Sequence, residues 1–111
     1  AIGNMVEEAL EAAESLQREG MNVSVVNVKQ IWPFPVDAIK KIIDEYSAII
    51  TIEDGIYNGS FGEYAKSISG KVIAMTYPTK FIEHGSVKEI KEKYGMDAQG
   101  IINTVKNAIR K

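Results

Sequence analysis

The feature that most constrains the fold is a strand-length apolar run that leads directly into a turn and a helical pattern, within residues 47–69. Residues 48–52 are apolar or β-branched without a break, which is typical of a strand covered on both faces. The carboxylates Glu53 and Asp54 end the run. We therefore expect this strand in the middle of a sheet, with the turn just past its carboxyl end, where open α/β sheets place ligands or partners.

The turn and the next helix depend on glycine and on helical spacing. Gly55, Gly59 and Gly62 are assigned to the turn, since glycine allows positive φ or a close backbone approach. We predict that Gly59 or Gly62 holds a conformation or a packing position that a Cβ atom would disturb. The apolar residues that follow recur at helical spacing and predict a helix folded back on the sheet: they are Phe61, Tyr64, Ala65 and Ile68.

The rest of the chain alternates helical patterns with short apolar runs. Helices are predicted to begin near Asn4, Asp37, Ser86 and Asp97, all of which are suitable N-cap residues. Strands are predicted at 23–28 and 71–77, and residues 1–3 resemble the end of a strand whose start is missing. We therefore take the chain as a single domain, 1–111, cut from a larger protein. Strands that alternate with helices predict an α/β fold with a mostly parallel sheet.

Right-handed crossovers gather the strand-to-helix loops at one edge of such a sheet. That edge collects aromatic, glycine and charged residues, so we predict that it is a contact surface with further domains or a second subunit. The candidate residues of this surface are Trp32, Glu53, Asp54, Asn58, Gly59, Phe61, Gly62 and His84.

Composition excludes several classes of function. The 111 residues carry a net charge of −2 with scattered lysines and arginines, so no basic stripe is available for nucleic acid. No apolar run is long enough to cross a membrane. The sequence contains no cysteine, which excludes disulfides and thiolate chemistry and suits a reducing cytoplasm.

The residues suited to chemistry favour structural roles. Glu53 and Asp54 are a possible acid–base pair or metal site, but neighbours on a strand point to opposite sides, and acids after a strand commonly cap backbone amides or pair with lysine. His84 has no evident nucleophile beside it. Trp32 lies between apolar and proline residues, which favours an interface anchor over a ligand platform. No nucleotide-binding glycine motif is present. We therefore assign no catalytic, cofactor-binding or metal-binding residue.

Five segments together resemble the C-terminal domain of transketolase-like thiamine diphosphate enzymes: residues 3–9 (Gly-Asn-Met-Val-Glu-Glu-Ala), 25–28 (Val-Val-Asn-Val), 51–55 (Thr-Ile-Glu-Asp-Gly), 59–62 (Gly-Ser-Phe-Gly) and 81–86 (Phe-Ile-Glu-His-Gly-Ser). The last two most resemble the 1-deoxy-D-xylulose-5-phosphate synthase family, which condenses pyruvate with glyceraldehyde 3-phosphate for isoprenoid precursors.

The resemblance implies a three-layer α/β/α domain with about five strands, the first truncated, in a cytoplasmic, homodimeric transferase of two-carbon units. It also implies that the two preceding domains hold thiamine diphosphate and magnesium, and that this domain packs beside them without binding cofactor. The family holds the metal through a Gly-Asp-Gly motif, whereas Glu53 precedes Asp54 and Gly55 here. A supporting role is carried over to the matching positions, which are Glu53, Asp54, Gly59, Phe61, Gly62 and His84.

Other interpretations stay open. Residues 30–35 (Gln-Ile-Trp-Pro-Phe-Pro) depart from the synthase pattern and resemble the matching domain of ferredoxin-dependent 2-oxo-acid oxidoreductases. A transketolase or a 2-oxo-acid dehydrogenase is a further possible parent. Hypotheses of other classes are a flavodoxin-like module that binds a small anion at the helix starts near Asn4 and Gly59, and a stand-alone hydrolase, which lacks an evident nucleophile and base.

Overall fold

The computed structural model describes residues 1–2, 5–28, 36–78 and 85–109. The five predicted helical patterns form helices, because each stripe of apolar residues at helical spacing is covered by the core. Within the described ranges the elements in chain order are α1 (Val6–Arg18), α2 (Val36–Glu45), β1 (Ile49–Ile56), α3 (Phe61–Ile68), β2 (Val72–Tyr77), α4 (Val87–Tyr94) and α5 (Ala98–Ile109).

The sheet is small and parallel. β1 pairs with β2 in a regular register that starts with Ile49 opposite Val72, and an irregularity follows Ile52. On the other side of β1, Ile2 forms a single parallel bridge with Glu53. β1 therefore has neighbours on both sides, as its unbroken apolar run predicts, while the described residues contain two full strands instead of about five.

Two predictions about strands were wrong, one about where a strand ends and one about whether a strand forms. β1 continues to Ile56, so Gly55 lies in the strand and not in the turn. The reason is that the hydrogen bonds between paired strands are formed by backbone groups, so polar side chains need not end a strand. Residues 23–28 form no assigned strand, although Val23 and Val25 are half-buried and alternate with the exposed Ser24 and Val26. A strand needs a neighbour paired through its backbone, and within the described residues the only backbone to which this segment bonds is that of Ala1.

The described core consists of two apolar clusters. The larger one joins α1, α4 and α5 to Ile52 of β1 and Tyr77 of β2, with Leu16 fully buried. The smaller one joins α2 and α3 to Val72 of β2. Ala1 packs against the first cluster and Ile2 against the second, as successive residues of a strand do.

The helix ends are satisfied in different ways. Asp97 caps α5 as predicted, since its carboxylate accepts a hydrogen bond from the Gly100 amide at 2.9 Å. Ser86 likewise caps α4 and accepts from the Glu89 amide at 3.2 Å. Asp37 lies inside the first turn of α2 and not before it, which corrects the predicted cap, because α2 already begins at Val36.

The predicted cap at Asn4 lies outside the described residues. Met5 occupies the N-cap position of α1 without a side-chain hydrogen bond.

The C-terminus of α2 is capped by a lysine. The Lys71 ammonium donates to the carbonyls of Ile43 and Tyr46 at 3.0 and 3.2 Å. A cation is favourable at a helix C-terminus because the last carbonyls carry partial negative charge.

A tight joint connects α4 to α5. Gly95 ends α4 with φ +67°, a left-handed conformation that glycine adopts without strain. Gly100, in the first turn of α5, lies directly against the backbone of Gly95, and a Cβ atom at position 100 would overlap the Gly95 carbonyl. The angle between the two helices therefore depends on a glycine at position 100.

Candidate functional site

The end of β1 and the start of α3 are joined by the carboxylate of Glu53. Its two oxygens accept hydrogen bonds from the backbone amides of Phe61 and Gly62, at 3.2 and 2.9 Å, in a partly buried setting. These amides belong to the first turn of α3, where backbone donors have no partner within the helix and where the helix dipole favours negative charge. The prediction that an acid here caps backbone amides is confirmed for Glu53.

A second cap completes the start of α3. The hydroxyl of Ser60 accepts from the Glu63 amide at 3.0 Å, and the Glu63 carboxylate accepts from the Gly59 amide at 3.2 Å. The arrangement is a variant of the capping box, because the acid three residues after the serine accepts from the amide of Gly59 and not from that of Ser60, which donates to the Tyr57 carbonyl. It was not predicted above, although the Ser-x-x-Glu spacing of residues 60–63 is its usual signature.

These caps exclude the anion-binding hypothesis at α3. The amides of Gly59, Phe61, Gly62 and Glu63 all donate to side chains of this chain. An anion at a helix start needs such donors free and pointing outward. The hypothesis is therefore wrong for the Gly59 region, and its other half, at Asn4, lies outside the described residues.

Gly59 lies in the turn, whereas Gly62 lies in α3 and not in the turn to which it was assigned. Both are sensitive to a Cβ atom, as predicted, but for different reasons. Gly59 has φ +81° in open surroundings, so conformation is what favours glycine there. Gly62 has ordinary φ, but a Cβ atom would stand 2.6 Å from Thr51 Oγ1 and 2.7 Å from Ala74 Cβ. The first turn of α3 thus lies against β1 and β2 at a distance that only glycine permits.

The remaining candidate residues differ in exposure. Asp54 and Asn58 are exposed, whereas Phe61 is 7% exposed and packs in the smaller core cluster. Phe61 therefore supports α3 from inside. Trp32 and His84 lie outside the described residues. Glu53 is half-buried and Asp54 is exposed, consistent with neighbours on a strand that point to opposite sides.

An ion pair between α1 and α4 lies beside the larger core cluster. The Lys91 ammonium donates to the Glu8 carboxylate at 2.8 Å, with side chains 14% and 21% exposed. This hydrogen bond raises the pKa of Lys91 above its ordinary value of 10.5, against the opposing effect of burial; the nearby Glu8 and Asp54 charges also favour the protonated form. No sequence pattern signals this pair, since its members are 83 positions apart.

The described residues offer little for cofactor chemistry. They contain no cluster of three or more histidine and acidic side chains placed to hold a metal ion. Glu53 accepts two backbone hydrogen bonds. None of the described helices is long and apolar enough to cross a membrane.

Comparison with known proteins agrees with this fold. The family described as "Transketolase, C-terminal domain" matches residues 1–101. The chain belongs to that family. Similar relatives of this transketolase C-terminal domain are 1-deoxy-D-xylulose-5-phosphate synthases, which confirms the resemblance seen in the sequence.

The synthase of Bacillus velezensis is 40% identical over 95% of the chain. That of Aquifex aeolicus is 35% identical over 99% of the chain, and that of Caldanaerobacter subterraneus subsp. tengcongensis is 34% identical over 95%. The chain spans only 18% of the length of each of these relatives.

Proposed function

We propose that this domain is the non-catalytic C-terminal domain of a thiamine diphosphate-dependent transferase, and that the parent enzyme is a 1-deoxy-D-xylulose-5-phosphate synthase of isoprenoid precursor synthesis. Its role in this proposal is the assembly of domains and subunits, with regulation as a secondary role. The observation that carries the proposal is the family match over residues 1–101 together with synthase relatives that are 34–40% identical.

The use of the Glu53 carboxylate supports a structural role. A carboxylate at a helix start stabilises backbone donors that have no partner within the helix. Both oxygens of Glu53 accept such bonds at the start of α3. The most prominent acid of the candidate surface therefore serves the fold of the domain itself.

The proposal places thiamine diphosphate and magnesium in preceding domains of the parent enzyme. The residues of this chain do not fit the cofactor: Glu53 occupies the place of the first glycine of the Gly-Asp-Gly pattern, and the described acids do not cluster as metal ligands. Magnesium needs oxygen ligands in octahedral arrangement around a diphosphate. In this proposal, the described residues supply none of the groups that hold the cofactor.

In the same proposal, residues 1–111 form one three-layer α/β/α domain whose complete sheet has about five strands. Its carboxyl edge contacts the cofactor-binding domains or the second subunit of a cytoplasmic homodimer. The residues assigned to this contact or to its support are Trp32, Glu53, Asp54, Asn58, Gly59, Phe61, Gly62 and His84.

Calorimetric titration with thiamine diphosphate and magnesium tests the non-catalytic role. The 111-residue chain should give no saturable heat at micromolar cofactor, whereas the full-length parent protein, as the control, should bind at one site per subunit. A one-site isotherm with the 111-residue chain alone would contradict the proposal.

The identity of the parent is tested on the full-length protein with pyruvate as the first substrate. A synthase should consume glyceraldehyde 3-phosphate together with pyruvate and release carbon dioxide. Transfer of pyruvate electrons to ferredoxin, or turnover only with a sugar-phosphate donor, would instead identify an oxidoreductase or a transketolase.

A further inference from the structure

The sequence contains one Asn-Gly pair, Asn58–Gly59, and both residues are exposed in the turn between β1 and α3. Asparagine is a thermolabile residue. Its side-chain amide is attacked most readily when glycine follows, because no side chain then shields the next backbone nitrogen. Around Gly59 no atom lies within 4 Å of the position that a Cβ atom would take. The pair is therefore reactive unless the fold restrains it.

The shape of the turn is the first restraint. The Ser60 amide donates to the Tyr57 carbonyl at 3.0 Å, with Asn58 and Gly59 between them. Gly59 has φ +81°, whereas no described residue other than glycine has positive φ. This combination is a type II turn, in which ψ of the second residue is about +120°. Ring closure between the Asn58 side chain and the Gly59 nitrogen requires the Asn58 Cα–C bond to rotate well away from that value.

The second restraint is a hydrogen bond on the attacking atom itself. The Gly59 amide donates to the Glu63 carboxylate at 3.2 Å. Attack requires this nitrogen to lose its proton. A carboxylate that accepts the N–H stabilises the protonated amide, and its negative charge opposes the formation of an amide anion beside it. The acid that completes the cap of α3 therefore also lowers the reactivity of the Asn-Gly pair.

We propose that Asn58 is a site of spontaneous deamidation, and that the Glu63 carboxylate restrains the reaction in the folded domain. Hydroxide removes the Gly59 amide proton, the nitrogen attacks Asn58 Cγ, and the side-chain nitrogen takes up a proton from water and leaves as ammonia. The product is a cyclic imide. Water then opens the ring at the side-chain carbonyl to give aspartate, or at the backbone carbonyl to give isoaspartate.

Each stage of the reaction changes the start of α3. The imide nitrogen carries no proton, so the bond from Gly59 to Glu63 is lost while the ring persists. Aspartate restores the N–H group but adds a carboxylate to a turn that already lies beside the exposed acids Asp54 and Glu63. Isoaspartate lengthens the backbone within the turn, so the bond from Ser60 to Tyr57 no longer has its present geometry.

The inference concerns the chemistry of this chain and does not depend on the proposed function. Its test follows one side chain and not the cofactor or the assembly of domains, so the two proposals can fail separately.

The test incubates the 111-residue chain in mildly alkaline buffer and follows deamidation by peptide mapping, with ammonia release as a second measurement. Asn22 is the internal reference, because it is exposed but precedes the β-branched Val23, which hinders attack. In guanidinium chloride, which unfolds the chain, Asn58 should react much faster than Asn22. In the folded chain Asn58 should react at least about tenfold more slowly than in the unfolded chain.

Two variants separate the Glu63 bond from general loosening of the helix start. Glu63→Ala should speed deamidation of Asn58 in the folded chain at least about threefold, because a hydrogen bond to a charged group is lost. Ser60→Ala is the matched control. It removes the other cap of α3, the bond from the Glu63 amide, and leaves the acceptor of the Gly59 amide in place. Its rate should stay close to that of the unaltered chain.

Deamidation of Asn58 no faster than that of Asn22 in the unfolded chain would overturn the site. An unchanged rate in Glu63→Ala, or an equal rise in Ser60→Ala, would overturn the role of Glu63. If circular dichroism shows that Glu63→Ala is unfolded, Glu63→Gln takes its place. Glutamine keeps an oxygen acceptor without the charge and binds an amide more weakly, so the rate should still exceed that of Ser60→Ala. A rate equal to that of the unaltered chain would contradict the restraint.

Discussion

Glu53 is the residue on which the β1–α3 connection most depends. Hydrogen bonds to a charged group contribute about 1.5–3 kcal/mol, more than bonds between neutral groups. Its two bonds hold a helix start that is also fixed by Ser60. Because the site is partly buried, water replaces the carboxylate poorly when it is removed.

We expect Glu53→Gln to lower the free energy of unfolding by about 1–2 kcal/mol, and Glu53→Ala to lower it by about 2–3 kcal/mol. Glutamine keeps one acceptor oxygen but brings an NH₂ group toward an amide donor. Urea unfolding followed by circular dichroism measures the change. The matched control is Glu63→Gln, an exposed acid with a single amide bond, which should change stability by about 0.5 kcal/mol or less. Equal effects at both positions would contradict this account.

At Gly62 we predict the opposite case, in which added atoms lower the stability of the domain. Gly62→Ala places a methyl group 2.6 Å from Thr51 Oγ1 and 2.7 Å from Ala74 Cβ. We expect a loss of about 1–3 kcal/mol from overpacking, measured by thermal and urea unfolding. Gly70→Ala is the control, because no atom lies within 4 Å of the position that its methyl group would take. That variant should be neutral or gain about 0.4–1 kcal/mol.

At the scale of elements, patterns within one segment predicted helices better than alternating patterns predicted strands. Helical spacing predicted all five helices, because the apolar stripe of a helix requires only that the core of the domain cover it. The strand at 23–28 depends on what lies beside it, and its alternating valines do not encode a partner. Glu53 was correctly predicted to cap backbone amides, whereas the identity of those amides, eight and nine positions later, depends on how α3 folds back.

The Glu8–Lys91 pair links α1 to α4, and its coupling should depend on pH. The pKa of Lys91 is raised in the folded state by its hydrogen bond to Glu8, and its ordinary value is 10.5. The stabilisation is therefore complete below pH 10.5 and is lost as the pH rises through the folded-state pKa.

A double-mutant cycle with Glu8→Gln and Lys91→Met should give a coupling of about 1 kcal/mol at pH 8. The stability difference between the parent chain and Lys91→Met should shrink as the pH rises above 10.5 and through the raised folded-state pKa of Lys91. Arg18 and Glu14 provide the control pair, because their side chains are 70% and 68% exposed. Their coupling should stay within about 0.5 kcal/mol. A difference for Lys91 that grows with pH would contradict the assigned shift.

At the scale of the whole molecule, the two ends of the sheet differ in what they expose. The end of β1 exposes Asp54, and the turn that follows exposes Asn58. The opposite edge carries the end of α1, where Lys106 of α5 pairs with Glu19 at 2.9 Å. The proposed contact with other domains concerns only the first edge.

We therefore expect Asn58→Arg to leave the unfolding midpoint of the 111-residue chain within about 2 °C, since an exposed side chain makes few contacts. In the full-length parent the same change should weaken subunit or domain assembly, measured by sedimentation velocity across a concentration series. Asn107→Arg, exposed near the opposite edge, is the matched control and should leave assembly unchanged. Unaltered assembly with Asn58→Arg, or an equal loss with both variants, would contradict the contact surface.

The joint between α4 and α5 has a consequence for engineering this fold. A common route to thermostability replaces glycine within a helix by alanine, which favours the helix by about 1 kcal/mol when the site is open. The described helices contain two glycines, Gly62 and Gly100, and each lies where a methyl group would enter a neighbouring element. A design protocol guided by helix propensity alone would select both positions first, and at both it would exchange a small gain in propensity for a larger steric loss.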